Sequence, residues 1–205
     1  MCGICGIVDF KGNPIDPKHV EIMSNSLSHR GPDGEGIFIN QWSGGKGQAA
    51  FGHRRLSIID LKTGSQPMLN EDKSIVVVYN GEIYNFNELK KNLIKKGHKF
   101  RTKSDTEVIL HQYKEDGWKC AKRFNGIFAF ALWDDDKKTL LLARDRIGIK
   151  PLYYFYNDKR LIFASEIKAI LKALPEKPEV DSSSLFRYLI LQYIPAPATL
   201  YKNIY

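Results

Sequence analysis

Five apolar runs set the terms of the fold: Ile75 to Tyr79, Ile127 to Trp133, Leu140 to Ala143, Leu152 to Tyr156 and Leu161 to Ala164. None alternates apolar with polar residues as a strand with one wet face does, so each reads as a strand buried on both sides. Continuous burial is the habit of parallel sheets. The links between the last four runs are short, however, as from Asp134 to Thr139 and from Asn157 to Arg160. A parallel crossover takes about a dozen residues or more, so these strands pair antiparallel. An antiparallel sheet covered on both faces needs a layer on each side, and two sheets face to face with helices outside them supply it. The expectation is an α+β fold: a four-layer α/β/β/α sandwich of two antiparallel sheets.

Helices for the outer layers are present. Asp16-Pro17 is a cap with proline in the first turn, and Val20, Met23 and Leu27 follow on one face until Gly31-Pro32. Phe86, Leu89 and Leu93 repeat the spacing and end at Gly97. Ser104-Asp105-Thr106-Glu107 has capping-box spacing ahead of Ile109 and Tyr113, with Gly117 as the stop. Ile167, Ile170, Leu171 and Leu174 form a stripe between Ser165 and Pro175. Asp181 can cap a further helix carrying Leu185, Phe186, Leu189 and Ile190, followed by an extended stretch at Tyr193-Ile194-Pro195-Ala196-Pro197.

The chain of 205 residues is 43% apolar and 26% charged, ordinary for a globular protein. It has no apolar run of membrane-spanning length and no signal-peptide pattern at its start. Three cysteines are too few, and odd in number, for a disulfide framework, so a reduced, cytoplasmic setting is expected. The net charge of +8 draws heavily on Lys90, Lys91, Lys95, Lys96, Lys99, Arg101 and Lys103. A solvated helix face explains that cluster, and no aromatic residues interleave as a nucleic-acid platform requires, so no nucleic-acid partner is expected.

Cys2 carries the most chemical information. Once Met1 is removed, one residue holds both a thiol (pKa about 8.5) and an α-amine (about 7.7–8.0), a nucleophile with its own proton carrier. A cysteine near a terminus is equally a small buried hydrophobe, and the other segments weigh against that. Cys2-Gly3-Ile4-Cys5-Gly6-Ile7-Val8 reads as a strand with Cys2 and Cys5 on opposite faces, which weakens a C-x-x-C redox or zinc reading. His29-Arg30-Gly31-Pro32-Asp33-Gly34 suits a flap over a ligand, or a plain helix stop. Arg55, in a strand or at its edge, can clamp a carboxylate. Asn80-Gly81-Glu82 closes the Ile75 to Tyr79 strand, and an amide with an unhindered glycine N–H can present two donors to one oxygen. Asp105, at a helix start, can bind an ammonium or simply favour the helix N-terminus. Ser43-Gly44-Gly45-Lys46 lacks the features of a phosphate loop, so nucleotide chemistry is not expected here.

Together these segments resemble the class II, N-terminal nucleophile glutamine amidotransferase domain, in particular the amino-terminal half of glutamine-hydrolysing asparagine synthetases. The matching stretches include Met1-Cys2-Gly3-Ile4, His29-Arg30-Gly31-Pro32-Asp33, Arg55-Leu56-Ser57-Ile58-Ile59-Asp60, Asn80-Gly81-Glu82-Ile83-Tyr84-Asn85, Ser104-Asp105-Thr106-Glu107, Arg144 to Tyr153 and Ala164 to Ala169. The resemblance implies the N-terminal nucleophile hydrolase fold, with Cys2 as nucleophile. It makes Asn80 and Gly81 the oxyanion hole, Arg55 and Asp105 the holders of glutamine's α-carboxylate and α-ammonium, and Leu56, Ser57, Ile58, Ile59 and Glu82 the pocket lining. It further implies a glutaminase domain over residues 1–180, with 181–205 leading into a synthetase domain not in this chain. The partner would be glutamine, with that synthetase domain in cis or in trans. No cofactor is expected in this chain, ATP and Mg belonging to the synthetase domain. Membrane partners are not expected, and a homodimer is left open. Two other readings stand beside it: a non-catalytic interaction module of the same fold, and a glutaminase serving a different acceptor.

Overall fold

Two antiparallel sheets form the centre of the molecule. The computed structural model describes residues 1–40, 48–57 and 64–205. The expectations for Ile58, Ile59 and Asp60, and for the Ser43-Gly44-Gly45-Lys46 turn, lie outside the described residues. One sheet is built from β1 (Gly3–Asp9), β2 (Gly34–Ile39), β3 (Gln48–Arg55), β8 (Tyr153–Tyr156) and β9 (Arg160–Ala164), in the order β2-β3-β1-β9-β8. The other holds β4 (Met68–Leu69), β5 (Ile75–Ile83), β6 (Gly126–Asp134) and β7 (Thr139–Arg144), in the order β4-β5-β6-β7. The helices are α1 (Pro17–Ser26), α2 (Phe86–Lys95), α3 (Thr106–Asp116), α4 (Ile167–Ala173) and α5 (Ser182–Leu191).

Side-chain alternation along each strand sorts the apolar residues into three layers. In β1, Ile4 and Val8 face the opposite sheet and pack with Phe51, Val76, Val78, Trp133 and Phe163. Cys5 and Ile7 face outward beneath α1 and α4, with Val20, Met23, Leu27, Ala169 and Ile170. The outer face of the second sheet, through Val77, Tyr79, Phe128, Phe130 and Leu132, packs under α2 and α3. The result is the four-layer α/β/β/α sandwich. Gly6 is required between its strand partners in the first sheet: a Cβ there would meet Phe163 of β9 at 2.5 Å and Phe51 of β3 at 2.7 Å. Those two rings meet edge to face across it, 5.2 Å apart.

Four local expectations change. The last four apolar runs form two hairpins, β6–β7 and β8–β9, but β7 and β8 belong to different sheets. The chain therefore crosses from one sheet to the other between Arg144 and Tyr153. β7 and β8 are edge strands, only partly buried, rather than covered on both faces. Asn80-Gly81-Glu82 does not close its strand: β5 runs on to Ile83, with Asn80 opposite Ala129 and Gly81 opposite Phe128. At α3 the capping box is not made, because the Glu107 carboxylate instead accepts the Arg101 N–H at 2.8 Å and the Thr102 N–H at 2.7 Å.

The basic cluster on and after α2 is partly anchored, with Lys90 donating to the Thr102 carbonyl and lying over Phe100, and Lys96 paired with Glu115. Beyond α5, Tyr205 and Tyr154 exchange backbone hydrogen bonds and Ile204 enters the core beneath α4. No helix among the described residues is long and apolar enough to cross a membrane.

Candidate active site

At one end of the sandwich, the start of β1, the end of β3, the far half of β5 and the start of α3 converge on a cavity of about 150 Å³. Its lining includes Cys2, Arg55, Leu56, Asn80, Gly81, Glu82 and Asp105, with Met1 among the wall residues. Of the candidates from the sequence, the structure brings all but three to this cavity. Ser57 stands just outside, its N–H bonded to the Asp33 carboxylate at 2.8 Å, and Ile58 and Ile59 are not among the described residues.

Cys2 is half-buried, and its Sγ accepts the Leu56 N–H at 3.4 Å. Its carbonyl accepts the Arg30 Nε–H at 3.0 Å. The other two thiols are unsuited to attack. Burial pushes Cys5 up to about 12, against weaker opposing effects from the Gly52 hydrogen bond and Arg54. Burial likewise pushes Cys120 to about 12. A thiolate is the reactive form, so two of the three cysteines are inert near neutrality. Among the described residues no group of three His, Cys, Asp or Glu side chains is gathered to hold a metal.

The segment His29 to Gly34 is a brace rather than a flap. Arg30 bonds Cys2, the Asp33 N–H donates to the Arg55 carbonyl at 2.9 Å, and Gly34 begins the pairing of β2 with β3.

The donors on β5 follow from ladder geometry. The Tyr84 N–H donates to the Asn125 carbonyl at 2.8 Å, and the Asp135 N–H to the Ser74 carbonyl at 2.8 Å, so the even-numbered residues of β5 bond to β6. Antiparallel pairing alternates, which turns the N–H groups of Tyr79, Gly81 and Ile83 to the opposite edge. There, the Tyr79 N–H is taken by Gln66 Oε1 at 2.6 Å and the Ile83 N–H by Asp105 Oδ2 at 3.0 Å. Gly81 lies between them on the cavity wall. Only glycine fits there, since a Cβ would stand 2.6 Å from the Phe128 Cα and collide with the Ile127 carbonyl. The neighbouring Asn80 amide is 2% exposed, and its Nδ2 has no hydrogen-bond partner. A buried donor left unpaired costs about 1–3 kcal/mol, which an acceptor entering the cavity would offset.

Asp105 closes the other side. Asp105 makes no capping hydrogen bond, and its Oδ2 accepts from Tyr79 Oη at 2.6 Å and from the Ile83 N–H at 3.0 Å instead. Burial raises the Asp105 pKa, and nearby Glu82 adds to this against the lowering by the Tyr79 and Ile83 hydrogen bonds. Such a carboxylate is short of positive charge. Arg55 sits at the last position of β3, on the cavity wall. His53, two residues earlier, joins the sheets through Nε2 to the Tyr79 carbonyl at 3.3 Å. Burial holds it down to about 4, outweighing that hydrogen bond, and Arg55 adds to the effect, so it is a neutral strut.

Tyr79, Gln66, Thr106 and Lys150 also line the cavity, and the sequence reading gave them no role there. Tyr79 adjoins Asn80, but its contact with Asp105 spans 26 residues and leaves no trace in local pattern.

Known proteins bear on this geometry. A family model described as "Glutamine amidotransferase domain" matches residues 1–205. A putative asparagine synthetase [glutamine-hydrolyzing] 2 of Methanocaldococcus jannaschii is 40% identical over all of this chain and 42% of its own length. Asparagine synthetase [glutamine-hydrolyzing] 3 of Bacillus subtilis is 42% identical over all of this chain and 33% of its own length. This chain thus spans less than half the length of these curated relatives. Among solved structures, glutamine phosphoribosylpyrophosphate amidotransferase from B. subtilis superposes with a TM-score of 0.66 at 26% identity, covering 84% of this chain and 43% of that one.

Proposed function

The chain belongs to the glutamine amidotransferase domain family, and from that premise we propose that it hydrolyses the side-chain amide of glutamine through Cys2, giving glutamate and ammonia. The observation that carries this is the unpartnered Asn80 Nδ2 on the wall of a small cavity that also presents Cys2, Gly81, Arg55 and Asp105.

Arg55 takes the α-carboxylate of glutamine and Asp105 its α-ammonium, which places the side-chain amide toward Cys2. With Met1 removed, the Cys2 amine accepts the thiol proton and the thiolate attacks the amide carbon. The oxygen that gains charge is met by Asn80 Nδ2–H and Gly81 N–H. The amine returns its proton to the departing nitrogen, ammonia leaves, and a γ-glutamyl thioester remains. Water, giving a proton to the same amine, attacks the thioester, and collapse of that intermediate releases glutamate and restores the thiol. Every proton is carried by the residue that holds the nucleophile, and no step draws on a cofactor.

The ammonia is proposed to serve asparagine synthesis by an ATP- and Mg-dependent synthetase part, in the same longer protein or as a separate subunit, in the cytoplasm. The exposed apolar side chains of α5, Leu185, Phe186, Leu189 and Ile190, support a covering partner there. Transfer to a different acceptor is the second reading, favoured by the shared fold with the phosphoribosylpyrophosphate amidotransferase.

The test is glutamate release from glutamine, with intact mass reporting loss of Met1. The processed protein should turn over and, on acid quenching, carry the glutamyl adduct on Cys2. Cys2→Ala should bind glutamine without turnover. Processed protein that releases no glutamate, or a turning-over Cys2→Ala, would refute the proposal.

A further inference from the structure

A nucleophile in the first residues of a chain faces a problem of position, since termini fray and a reacting group must be held to within about 0.5 Å. β3 holds one flank of Cys2, through the Gly3–Arg54 pairing and the Leu56 N–H to Sγ. Among the described residues no strand flanks Cys2 on the other side, because β9 pairs with β1 only from Cys5 onward. Ser165 carries the contact one step further, donating its N–H to the Ile4 carbonyl at 2.8 Å and accepting the Ile4 N–H on Oγ at 3.0 Å. The next residue of the chain is Glu166.

Glu166 occupies the N-cap of α4, yet its side chain makes no capping hydrogen bond. The carboxylate leaves the helix N–H groups unbonded and pairs instead with Arg30 Nη1 at 3.0 Å, His29 Nε2 at 2.9 Å and, from the first turn of α4 itself, Lys168 Nζ at 3.1 Å. Arg30 is therefore used at two ends: Nη1 rests on Glu166 while Nε donates to the Cys2 carbonyl. His29 stands between Glu166 and Lys168, with Nε2 toward the Glu166 carboxylate and Nδ1 3.5 Å from Lys168 Nζ. Burial would raise the Glu166 pKa, but the hydrogen bonds from Arg30, Lys168 and His29 bring it down to about 2, so the anchor is charged at any working pH.

We propose that Glu166 is a positioning residue for the Cys2 nucleophile, acting through Arg30, which it fixes in the one orientation that holds the Cys2 carbonyl. The proposal rests on the glutaminase reading for its kinetic arm. The relay ends on the Cys2 carbonyl, at the nucleophile rather than at the amino-acid end of the substrate, so its loss should fall on the chemical step more than on binding.

Glu166→Gln keeps the shape and removes the charge. It should lower kcat for glutamine hydrolysis by about 10- to 100-fold, as a small misplacement of a reacting group does, with KM unmoved. Glu166→Asp keeps the charge on a shorter arm and should recover part of the rate. In an Arg30→Lys background, where the two-ended contact is already gone, neither change should lower kcat further, because Glu166 acts only through Arg30. Amide exchange at Gly3, Ile4 and Leu56 should quicken in Glu166→Gln, a readout that needs no glutamine. An unchanged kcat, a loss that adds to that of Arg30→Lys, or a KM that rises in step would overturn the proposal. Should Glu166→Gln not fold, Glu166→Asp is judged by the same criteria. An inactive wild type would defeat the glutaminase reading alone, leaving the exchange comparison to decide this one.

Discussion

Replacing Asn80 by leucine keeps the branching of the side chain and removes its one unpartnered donor, so stability and catalysis should move in opposite directions. In the free protein Nδ2 is buried without a partner, a cost of about 1–3 kcal/mol that leucine abolishes without opening a hole. For a chain of this length each kcal/mol moves Tm by about 2–4 °C, so Tm should rise by several degrees. In the proposed mechanism the same nitrogen is one of two donors to the oxyanion that develops during attack on the amide. Losing one such donor costs about 2.7–4 kcal/mol in barrier, a drop of about 10²–10³ in kcat. KM should change little, because in the proposed mechanism Arg55 and Asp105 hold the other end of glutamine. Differential scanning calorimetry and a glutamate-release assay on one preparation read both effects. A lowered Tm together with a kcat within an order of magnitude of the starting enzyme would refute the reasoning, for Nδ2 would then be a structural group.

Asp105 must be ionised to hold an ammonium, and burial raises its pKa in the free protein. Affinity for glutamine should therefore fall as pH drops, starting above the ordinary carboxylate range, and Asp105→Asn should bind weakly at every pH without that acid limb; KM against pH is the measurement. Gly81→Ala places a methyl against the Phe128 backbone and should cost about 1–3 kcal/mol of stability along with turnover, read by urea unfolding. Burial would raise the Glu107 pKa, but the nearby His111 ring and the hydrogen bonds from Arg101 and Thr102 outweigh it and bring it from 4.5 to about 2. A lowered carboxylate pKa gives stability that is present above pH 4.5 and lost as pH falls toward 2. Glu107→Gln should flatten the unfolding free energy across that window, and an unchanged slope would show that Glu107 is no anchor.

Much of the architecture was legible because it depends on local pattern. Unbroken apolar runs with short links demand antiparallel strands covered on both sides, and the helices with clean caps and stripes arose where the pattern placed them. The misreadings share one cause. Asn80-Gly81 looks like a turn because asparagine and glycine favour turns locally, yet pairing with β6 carries the strand through to Ile83. Ser104 to Glu107 has capping-box spacing, yet Glu107 accepts the Arg101 and Thr102 amides instead, while Asp105 is held at the cavity by Tyr79 and Ile83. β7 and β8 read as one continued series, and nothing local reveals that the chain changes sheets between them.

The candidate site shows the same division. Cys2, Arg55, Asn80, Gly81 and Asp105 could be named from residue chemistry and family resemblance, since a thiol beside a terminus, an arginine, an amide, a bare backbone N–H and a carboxylate each have characteristic uses. Their meeting at one cavity could not, nor could Tyr79 on Asp105, His53 joining the sheets, or Glu166 reaching Arg30 across 136 residues. Propensity and periodicity act within a few residues of chain, and they settle which segments become strands and helices. Which side chains stand face to face is settled by sheet register and layer packing, which act between segments far apart in sequence, and the chemistry proposed here depends on those contacts.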